Sequence, residues 1–125
     1  MKHVSIIQVL QLHTKMIQAT GGADGVRDQT LLESALYNAL STFDGKGLYL
    51  SIEEKCANIC FCIIKNHPFI DGNKRIGLFI MLILLEYNNV ILRYDQRELV
   101  NLGLGIADGS FAQDYIVNWI KEHKV

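Results

Sequence analysis

The sequence has 125 residues and a mass of 14.1 kDa, half of its residues are apolar, and its mean hydropathy is +0.17. This length and apolar content suit one folded domain with a buried core and exclude a disordered chain. Twelve basic residues stand against thirteen acidic ones, a net charge of −1, which excludes a generic polyanion-binding protein because such proteins need a basic excess or a basic stripe. The only proline, Pro68, leaves the chain almost without helix breakers, so we predict a helical fold.

Helix starts are marked by capping boxes, in which a side chain accepts an early backbone N–H and a Glu or Gln three residues later reaches back. The chain has four pairs with this spacing: Ser5 and Gln8, Ser51 and Glu54, Asp95 and Glu98, and Ser110 and Gln113. Asp28 is a fifth candidate cap. The apolar periodicity that follows these positions predicts six helices. In chain order they cover about residues 6–20, 27–40, 51–66, 73–87, 95–107 and 110–123.

The fourth helix is the most apolar part of the chain. Between Ile76 and Leu85 every residue is apolar except Gly77. A helix that is apolar on all sides belongs in the centre of a bundle, and this run is about half the roughly 20 residues that span a bilayer. We therefore predict a single all-α domain over residues 1–125, with about six helices around a buried central helix. We expect the protein to be cytoplasmic and to have no membrane partner.

The segments outside the predicted helices are short. Residues 41–50 contain two glycines and little periodicity and are predicted to be a loop, and residues 90–92 allow a short extended segment. Three cysteines lie within seven positions of the third helix and are expected to be buried free thiols in a reducing cytoplasm: Cys56, Cys60 and Cys62.

Polar groups are concentrated just before and at the start of the fourth helix. Gly72 lets the backbone approach a ligand closely, and the N–H groups of the next turn form an anion site. Asn73 adds an amide donor. Lys74 and Arg75 add two positive charges at a helix end where positive charge is unfavourable unless an anion binds there.

The same segment contains a candidate base and a candidate metal ligand. His67 is a residue type that works as a general base at neutral pH. Asp71 is a carboxylate suited to Mg²⁺, which usually takes one or two carboxylates together with phosphate oxygens. Each feature alone is common in turns, but their coincidence within nine residues predicts a nucleotide-dependent transfer site. His13 lies on an apolar stripe and is expected to be a buried core histidine, whereas His3 and His123 lie at mobile chain ends.

Residues 67–75, which read HPFIDGNKR, resemble the signature loop of the Fic/Doc (Fido) superfamily, and within it the death-on-curing (Doc) toxins of bacterial toxin–antitoxin modules. Two further blocks, Gly21 to Asp28 and Leu31 to Ala35, resemble the family's N-terminal part. The resemblance therefore covers nearly the whole chain and implies one Fido domain over residues 1–125.

The sequence departs from the Fic enzymes that transfer AMP, whose loop reads His-Pro-Phe-x-Asp/Glu-Gly-Asn-Gly-Arg-x-x-Arg. Lys74 stands in place of the second glycine and Leu78 in place of the last arginine. The Asn-Lys-Arg ending is that of Doc proteins. Resemblance to them implies the toxin of a type II toxin–antitoxin system that transfers the γ-phosphoryl of ATP to a threonine of elongation factor Tu and arrests translation.

The resemblance also implies roles for individual residues. His67 is expected to deprotonate the incoming hydroxyl, and Lys74 and Arg75 to neutralise charge in the transition state. Gly72 and Asn73 are expected to bind the phosphates of ATP together with these two cations. Asp71 is expected to hold Mg²⁺. Phe69 is expected to anchor the loop in the core, and residues 43–49 occupy the place of a flap that pins the target.

The expected partner is a separate antitoxin, because the family's autoinhibitory pattern Ser/Thr-x-x-x-Glu-Gly/Asn does not occur in these 125 residues. A partly disordered antitoxin would fold as a helix into a groove, for which exposed apolar residues of the first two helices are candidates. Two other functions stay open: a Fic-like AMP transferase, and a catalytically silent module that only binds the antitoxin. No direct nucleic-acid binding is expected.

Overall fold

The computed structural model describes residues 1–40, 42–43, 46–47, 49 and 51–125. These residues form six α-helices: α1 (Ile6–Thr20), α2 (Gln29–Tyr37), α3 (Ile52–Asn66), α4 (Asn73–Tyr87), α5 (Gln96–Ala107) and α6 (Gln113–Glu122). A turn of 3₁₀-helix, Asn38–Leu40, follows α2. Two strands of two residues each, β1 (Thr42–Phe43) and β2 (Lys46–Gly47), pair in antiparallel orientation between α2 and α3. The predicted all-α class is confirmed.

Four of the five predicted caps are confirmed. Ser5 and Asp95 form complete capping boxes at the starts of α1 and α5. Asp28 and Ser51 accept the N–H groups of Leu31 and Glu54 at the starts of α2 and α3. The second helix therefore begins at Gln29 and not at residue 27, because its cap is Asp28.

The predicted cap at Ser110 is wrong. The sixth helix begins at Gln113 with Ala112 as its N-cap. The side-chain oxygen of Gln113 accepts a hydrogen bond from the amide of Asn58 on α3, 3.0 Å away, and does not reach back toward Ser110. The N–H of Ser110 instead donates to the carboxylate of Asp108 at 2.8 Å, so the chain is still turning at this position. The side chain of Gln113 thus contacts a distant helix and does not complete a capping box with Ser110.

The core lies around α3 and α4. The predicted burial of the fourth helix is confirmed, and its buried side chains include Ile76, Ile80 and Leu84. α3 shares the central position because it contacts α2, α4, α5 and α6. Gly77 lets the two helices approach closely: a Cβ at this position would lie 2.8 Å from Cγ1 of Ile64.

The loop predicted over residues 41–50 contains the two short strands. The flap predicted at residues 43–49 includes positions 44, 45 and 48, which lie outside the described residues. The cysteines are free thiols as predicted, but only Cys56 and Cys60 are buried, and Cys62 is half-buried. Burial raises the pKa of the Cys56 thiol to about 12. Among the helices that the structure describes, none has the length and apolarity needed to cross a membrane.

Both chain ends are held, so the expectation that His3 and His123 lie at mobile ends is wrong. A ring nitrogen of His3 lies 2.7 Å from the carbonyl oxygen of Leu36. The ring of His123 bonds to Glu98 and to the carbonyl oxygen of Trp119. The extended segment predicted at residues 90–92 is confirmed in part, since Leu92 forms an antiparallel bridge with Lys124.

Candidate active site

The loop between α3 and α4 contains two residues in the left-handed region. α3 ends at Asn66, and the next residue, His67, has φ +50° and ψ +60°. Gly72, which precedes the first residue of α4, has φ +78°. Glycine adopts this conformation without strain, but a residue with a side chain does so at a cost of about 1–3 kcal/mol. The loop therefore needs contacts from elsewhere to hold His67 in place.

Residues 23–28, which we call the bracing segment, run alongside the loop. Val26 forms an antiparallel bridge with Phe69. The N–H groups of residues 27 and 28 both donate to the carbonyl oxygen of Pro68, at 2.8 and 2.9 Å. The N–H of Ile70 donates to the carbonyl oxygen of Gly25 at 3.1 Å. Backbone hydrogen bonds thus fix residues 68–70 against a part of the chain about 40 positions away.

Arg27 adds a side-chain brace that the sequence reasoning missed. Its Nε donates to the carbonyl oxygen of His67 and its Nη2 to the carbonyl oxygen of Asn66, both at 2.6 Å. In the sequence, Arg27 belongs to a block that resembles the family's N-terminal part. No local pattern indicates that its guanidinium reaches the end of α3.

His13 and Phe69 support the loop from the core. The prediction that His13 is a buried histidine is confirmed, and the prediction that Phe69 is buried is confirmed as well: each is 1% exposed. Their rings stack with centroids 3.8 Å apart. Nε2 of His13 lies 2.7 Å from the carbonyl oxygen of Asp71, and Nδ1 lies 3.4 Å from the carboxylate of Asp24. The core histidine therefore also positions the backbone of the candidate metal ligand.

Asn73 uses its side chain inside the loop. Its amide oxygen accepts the N–H of Phe69, and its amide nitrogen donates to the carbonyl oxygen of Phe69, both at 3.0 Å. The same nitrogen lies 3.4 Å from Nδ1 of His67. Because the side chain is buried and engaged, what Asn73 leaves for an anion is its backbone N–H.

The carboxylate of Asp71 is exposed and oriented by two backbone N–H groups. Oδ2 accepts from Ala23 at 3.1 Å and Oδ1 accepts from Gly72 at 2.8 Å. These two hydrogen bonds, with a smaller contribution from the charge of Arg75, lower the pKa of Asp71 below its usual range. The group is therefore ionised at neutral pH, and each oxygen keeps a lone pair for a further ligand.

The two cations differ in their surroundings. Nη1 of Arg75 donates to the hydroxyl of Thr20 and to the carbonyl oxygen of Gly21, so this side chain also ties the end of α1 to the start of α4. The exposed side chain of Lys74 forms no hydrogen bond or ion pair with the residues that the structure describes. Its ammonium group can therefore reach a bound anion at little cost.

All six predicted site residues line one cavity of about 280 Å³, which we call the site cavity; Ile70 also lines it. The six are His67, Asp71, Gly72, Asn73, Lys74 and Arg75. In the described part of the chain no side chain caps the start of α4, so the first N–H groups of this helix remain available to an anion. Within the described residues no three His, Cys, Asp or Glu side chains converge as a metal site. A divalent cation here would rely on Asp71 and on oxygens of a bound phosphate.

Arg75 also lines a second, larger groove, which is apolar. This interhelical groove has a volume of about 590 Å³ and is lined by residues of α1, the start and middle of α4, and α5. Its apolar walls include Met16, Phe79 and Val100, and Lys15 and Arg75 bring positive charge to it. Leu78, at the position of the last arginine in AMP-transferring Fic enzymes, also lines it. α2 contributes no lining residue to this groove.

The sequence is similar to a known protein family and to individual proteins of known name. A sequence model of the Fic/DOC family matches residues 3–85, more than half of the chain. The chain is 26% identical over 121 residues to the "Protein kinase doc" of Escherichia phage P1, an alignment that covers 97% of this chain and 94% of that protein. It is 34% identical over 77 residues to the "Toxin Doc" of Mycolicibacterium smegmatis, and this alignment covers 62% of this chain and 59% of that protein.

Proposed function

Since this chain belongs to the Fic/DOC family, we propose that it is the toxin of a type II toxin–antitoxin system and transfers the γ-phosphoryl group of ATP to a protein hydroxyl. The names of the two relatives support this, because one is called a kinase and the other a toxin. We further propose that residues 1–125 act as one Fido domain in the cytoplasm. The proposed target is a threonine of elongation factor Tu, whose phosphorylation would arrest translation.

The observation that carries the proposal is the site cavity. It brings a histidine, an ionised carboxylate, two cations and an uncapped helix N-terminus to one place. Phosphoryl transfer requires these parts: a base for the hydroxyl, positive charge for the phosphates and donors for the oxygens of the transferred group.

In the proposed reaction His67 accepts the proton of the threonine hydroxyl, and the oxygen then bonds to the γ-phosphorus of ATP. The bond between that phosphorus and the β–γ bridging oxygen breaks, and ADP leaves with the electron pair. Lys74, Arg75 and the first N–H groups of α4 stabilise the negative charge on the phosphate oxygens. A general base of this kind contributes about 10²–10⁴-fold in rate.

Asp71 suits a magnesium ion, because its carboxylate is ionised, exposed and oriented by Ala23 and Gly72. With a single carboxylate, the ion would complete its coordination with phosphate and water oxygens, which is usual for Mg²⁺ in nucleotide sites. Bound there, Mg²⁺ would neutralise phosphate charge.

Two positions favour phosphoryl transfer over AMP transfer. Lys74 brings an ammonium group to the site cavity where AMP-transferring enzymes have a glycine. Leu78 is 8% exposed and lines the interhelical groove, so the position of the last Fic arginine brings no positive charge to the nucleotide. AMP transfer is the alternative reaction that the experiment below must distinguish.

For the antitoxin we propose the interhelical groove as the docking site. Its apolar walls fit one face of an amphipathic helix, and Lys15 and Arg75 favour a helix with acidic residues at its edge. The candidate is the product of a short open reading frame beside the gene. Phe79, which is 44% exposed, offers the test: Phe79→Asp should abolish binding of that product, and unchanged binding would place the antitoxin elsewhere.

The function is tested by incubating the full chain with Mg-ATP and elongation factor Tu and measuring the intact mass of the factor. We expect the mass of one phosphoryl group to be added, and we expect no addition with His67→Ala. An added AMP mass would select the alternative reaction. An unmodified factor would contradict the proposed target, and the absence of any ATP-dependent modification in a cell lysate would favour the silent antitoxin-binding module.

A further inference from the structure

We propose that Arg27 is a positioning residue for His67: its guanidinium group joins the two carbonyl groups that flank His67 and so holds this residue in the left-handed conformation. The inference rests on the transfer reaction proposed above, which by itself gives Arg27 no role. Arg27, about 40 positions before His67 in the sequence, would thus set the orientation of the base in the site cavity.

The geometry of the two hydrogen bonds carries the argument. Nε of Arg27 donates to the carbonyl oxygen of His67, and Nη2 donates to that of Asn66, each at 2.6 Å. These carbonyls belong to the two peptide planes on either side of the His67 Cα. The rotation of one plane relative to the other is what φ and ψ of His67 describe. A planar guanidinium bonded to both planes therefore fixes the backbone conformation of His67.

The conformation that is fixed is one that histidine disfavours. His67 has φ +50°, where a side chain crowds the backbone. Both carbonyls lie at the end of α3, where a helix leaves its last acceptors unpaired and carries partial negative charge. A guanidinium at this position satisfies both acceptors and complements that charge, so the left-handed state is the one that Arg27 stabilises.

Arg27 is itself held against the loop that it braces. Its N–H donates to the carbonyl oxygen of Pro68 at 2.8 Å, and its neighbour Val26 forms a bridge with Phe69. The side chain is exposed, so shortening it removes no core contact. Arg27 does not line the site cavity, and this distinguishes a positioning role from direct binding of phosphate.

The first experiment separates the turnover number from nucleotide binding. Arg27→Ala should lower kcat of phosphoryl transfer about 10²-fold, the effect of misplacing a catalytic group by about 1 Å, and leave the KM for ATP within about threefold. Arg27→Lys, which keeps the charge but not the planar fork, should recover part of the loss. Arg97→Ala, at an exposed arginine of α5 outside the site, is the matched control and should keep wild-type kcat.

An unchanged kcat in Arg27→Ala would overturn the inference. So would a raised KM for ATP with kcat preserved, which would make Arg27 a nucleotide-binding residue.

The second experiment needs no turnover. Backbone NMR shifts of His67 should indicate the left-handed conformation in the wild type and in Arg97→Ala, and should lose it in Arg27→Ala, while core residues such as Ile80 keep their shifts. If Arg27→Ala retains the left-handed shifts of His67, the positioning role is wrong. If the wild type shows the expected shifts but transfers no phosphate, the proposed function fails and the positioning role stands.

Discussion

The two short joints between neighbouring helices, residues 67–72 before α4 and residues 108–112 before α6, are held in opposite ways. The second joint is closed by residues next to it in the sequence. The N–H of Phe111 donates to the carbonyl oxygen of Gly105 at 3.0 Å, and its ring stacks on Tyr115 with centroids 3.8 Å apart. These contacts of the joint are local in the sequence.

The first joint is held from a distance. His13 on α1 and Arg27 in the bracing segment bond to its backbone across 58 and 40 positions of sequence. It keeps His67 in a conformation that local preferences disfavour and leaves the start of α4 uncapped. A strained backbone conformation that is maintained by long-range contacts therefore indicates which of the two joints has a functional role. If this is right, changes at the first joint should reduce both stability and phosphoryl transfer, whereas changes at the second joint should reduce stability alone.

The largest effect is expected from Asn73→Ala, at the first residue after the first joint. The substitution leaves the N–H and carbonyl of the buried Phe69 without partners, which costs about 1–3 kcal/mol of unfolding free energy. Because the loop then loses its internal support, phosphoryl transfer should fall at least about 10²-fold. Denaturant unfolding and an activity assay measure the two effects. The control Asn118→Ala, at an exposed asparagine of α6, should change neither the unfolding free energy nor the activity. A fully active Asn73→Ala would contradict the proposed difference between the two joints.

Gly105→Ala should be similarly destabilising but should leave activity intact. A Cβ at Gly105 would overlap the ring of Phe111, so the second joint must shift. Overpacking of this kind costs about 1–3 kcal/mol. Thermal unfolding should occur at a lower temperature, while phosphoryl transfer measured well below that temperature should match the wild type. Loss of transfer by the folded variant would show that the second joint also serves the site.

A matched glycine pair gives a smaller effect. Gly72 and Gly109 both have positive φ, +78° and +87°, one in each joint. Alanine at either position should cost about 1–2 kcal/mol of stability, because the left-handed conformation is strained for a side chain. At Gly72 the new Cβ would also lie 2.9 Å from Cε of Met16, beside the site cavity, so only this variant should lose activity. Equal activity in the two variants would contradict the account.

The smallest effect is a pH dependence beside the second joint. Burial lowers the pKa of His123, but its hydrogen bonds to Glu98 and to the carbonyl of Trp119 outweigh this and leave the pKa raised. A raised pKa means that the folded state favours the charged ring. This stabilisation is fully present below the unfolded pKa and is lost as pH rises through the folded pKa. The unfolding temperature should therefore fall slightly between about pH 6 and pH 8. In His123→Gln the unfolding temperature should not show this fall. If the fall persists in the variant, the titration of another group causes it.

The sequence predicts what is local in this molecule. Helix spans and the caps at Ser5, Asp28, Ser51 and Asp95 follow from residues within a few positions of each other. The site residues could be named because they lie within nine consecutive positions, 67–75, and all of them line the site cavity.

What the sequence does not predict depends on distant partners. The cap expected at Ser110 is wrong because Gln113 bonds to Asn58 on another helix. The brace from Arg27 and the contact of His13 with Asp71 likewise join parts of the chain that only folding brings together. Asn73 could be assigned to the site by its position, but its engagement with Phe69 follows from the loop's conformation.

The central claim is that the first joint is a phosphoryl-transfer site with His67 as its base. The direct test supplies ATP labelled either at the γ- or at the α-phosphate and follows the label into elongation factor Tu, for the wild type and for His67→Asn. Asparagine tolerates the left-handed conformation, so this variant removes the base and keeps the backbone. We predict γ-label transfer by the wild type and at least about 10²-fold less by His67→Asn at equal folding stability. Transfer of the α-label, or an equal rate in His67→Asn, would contradict the account.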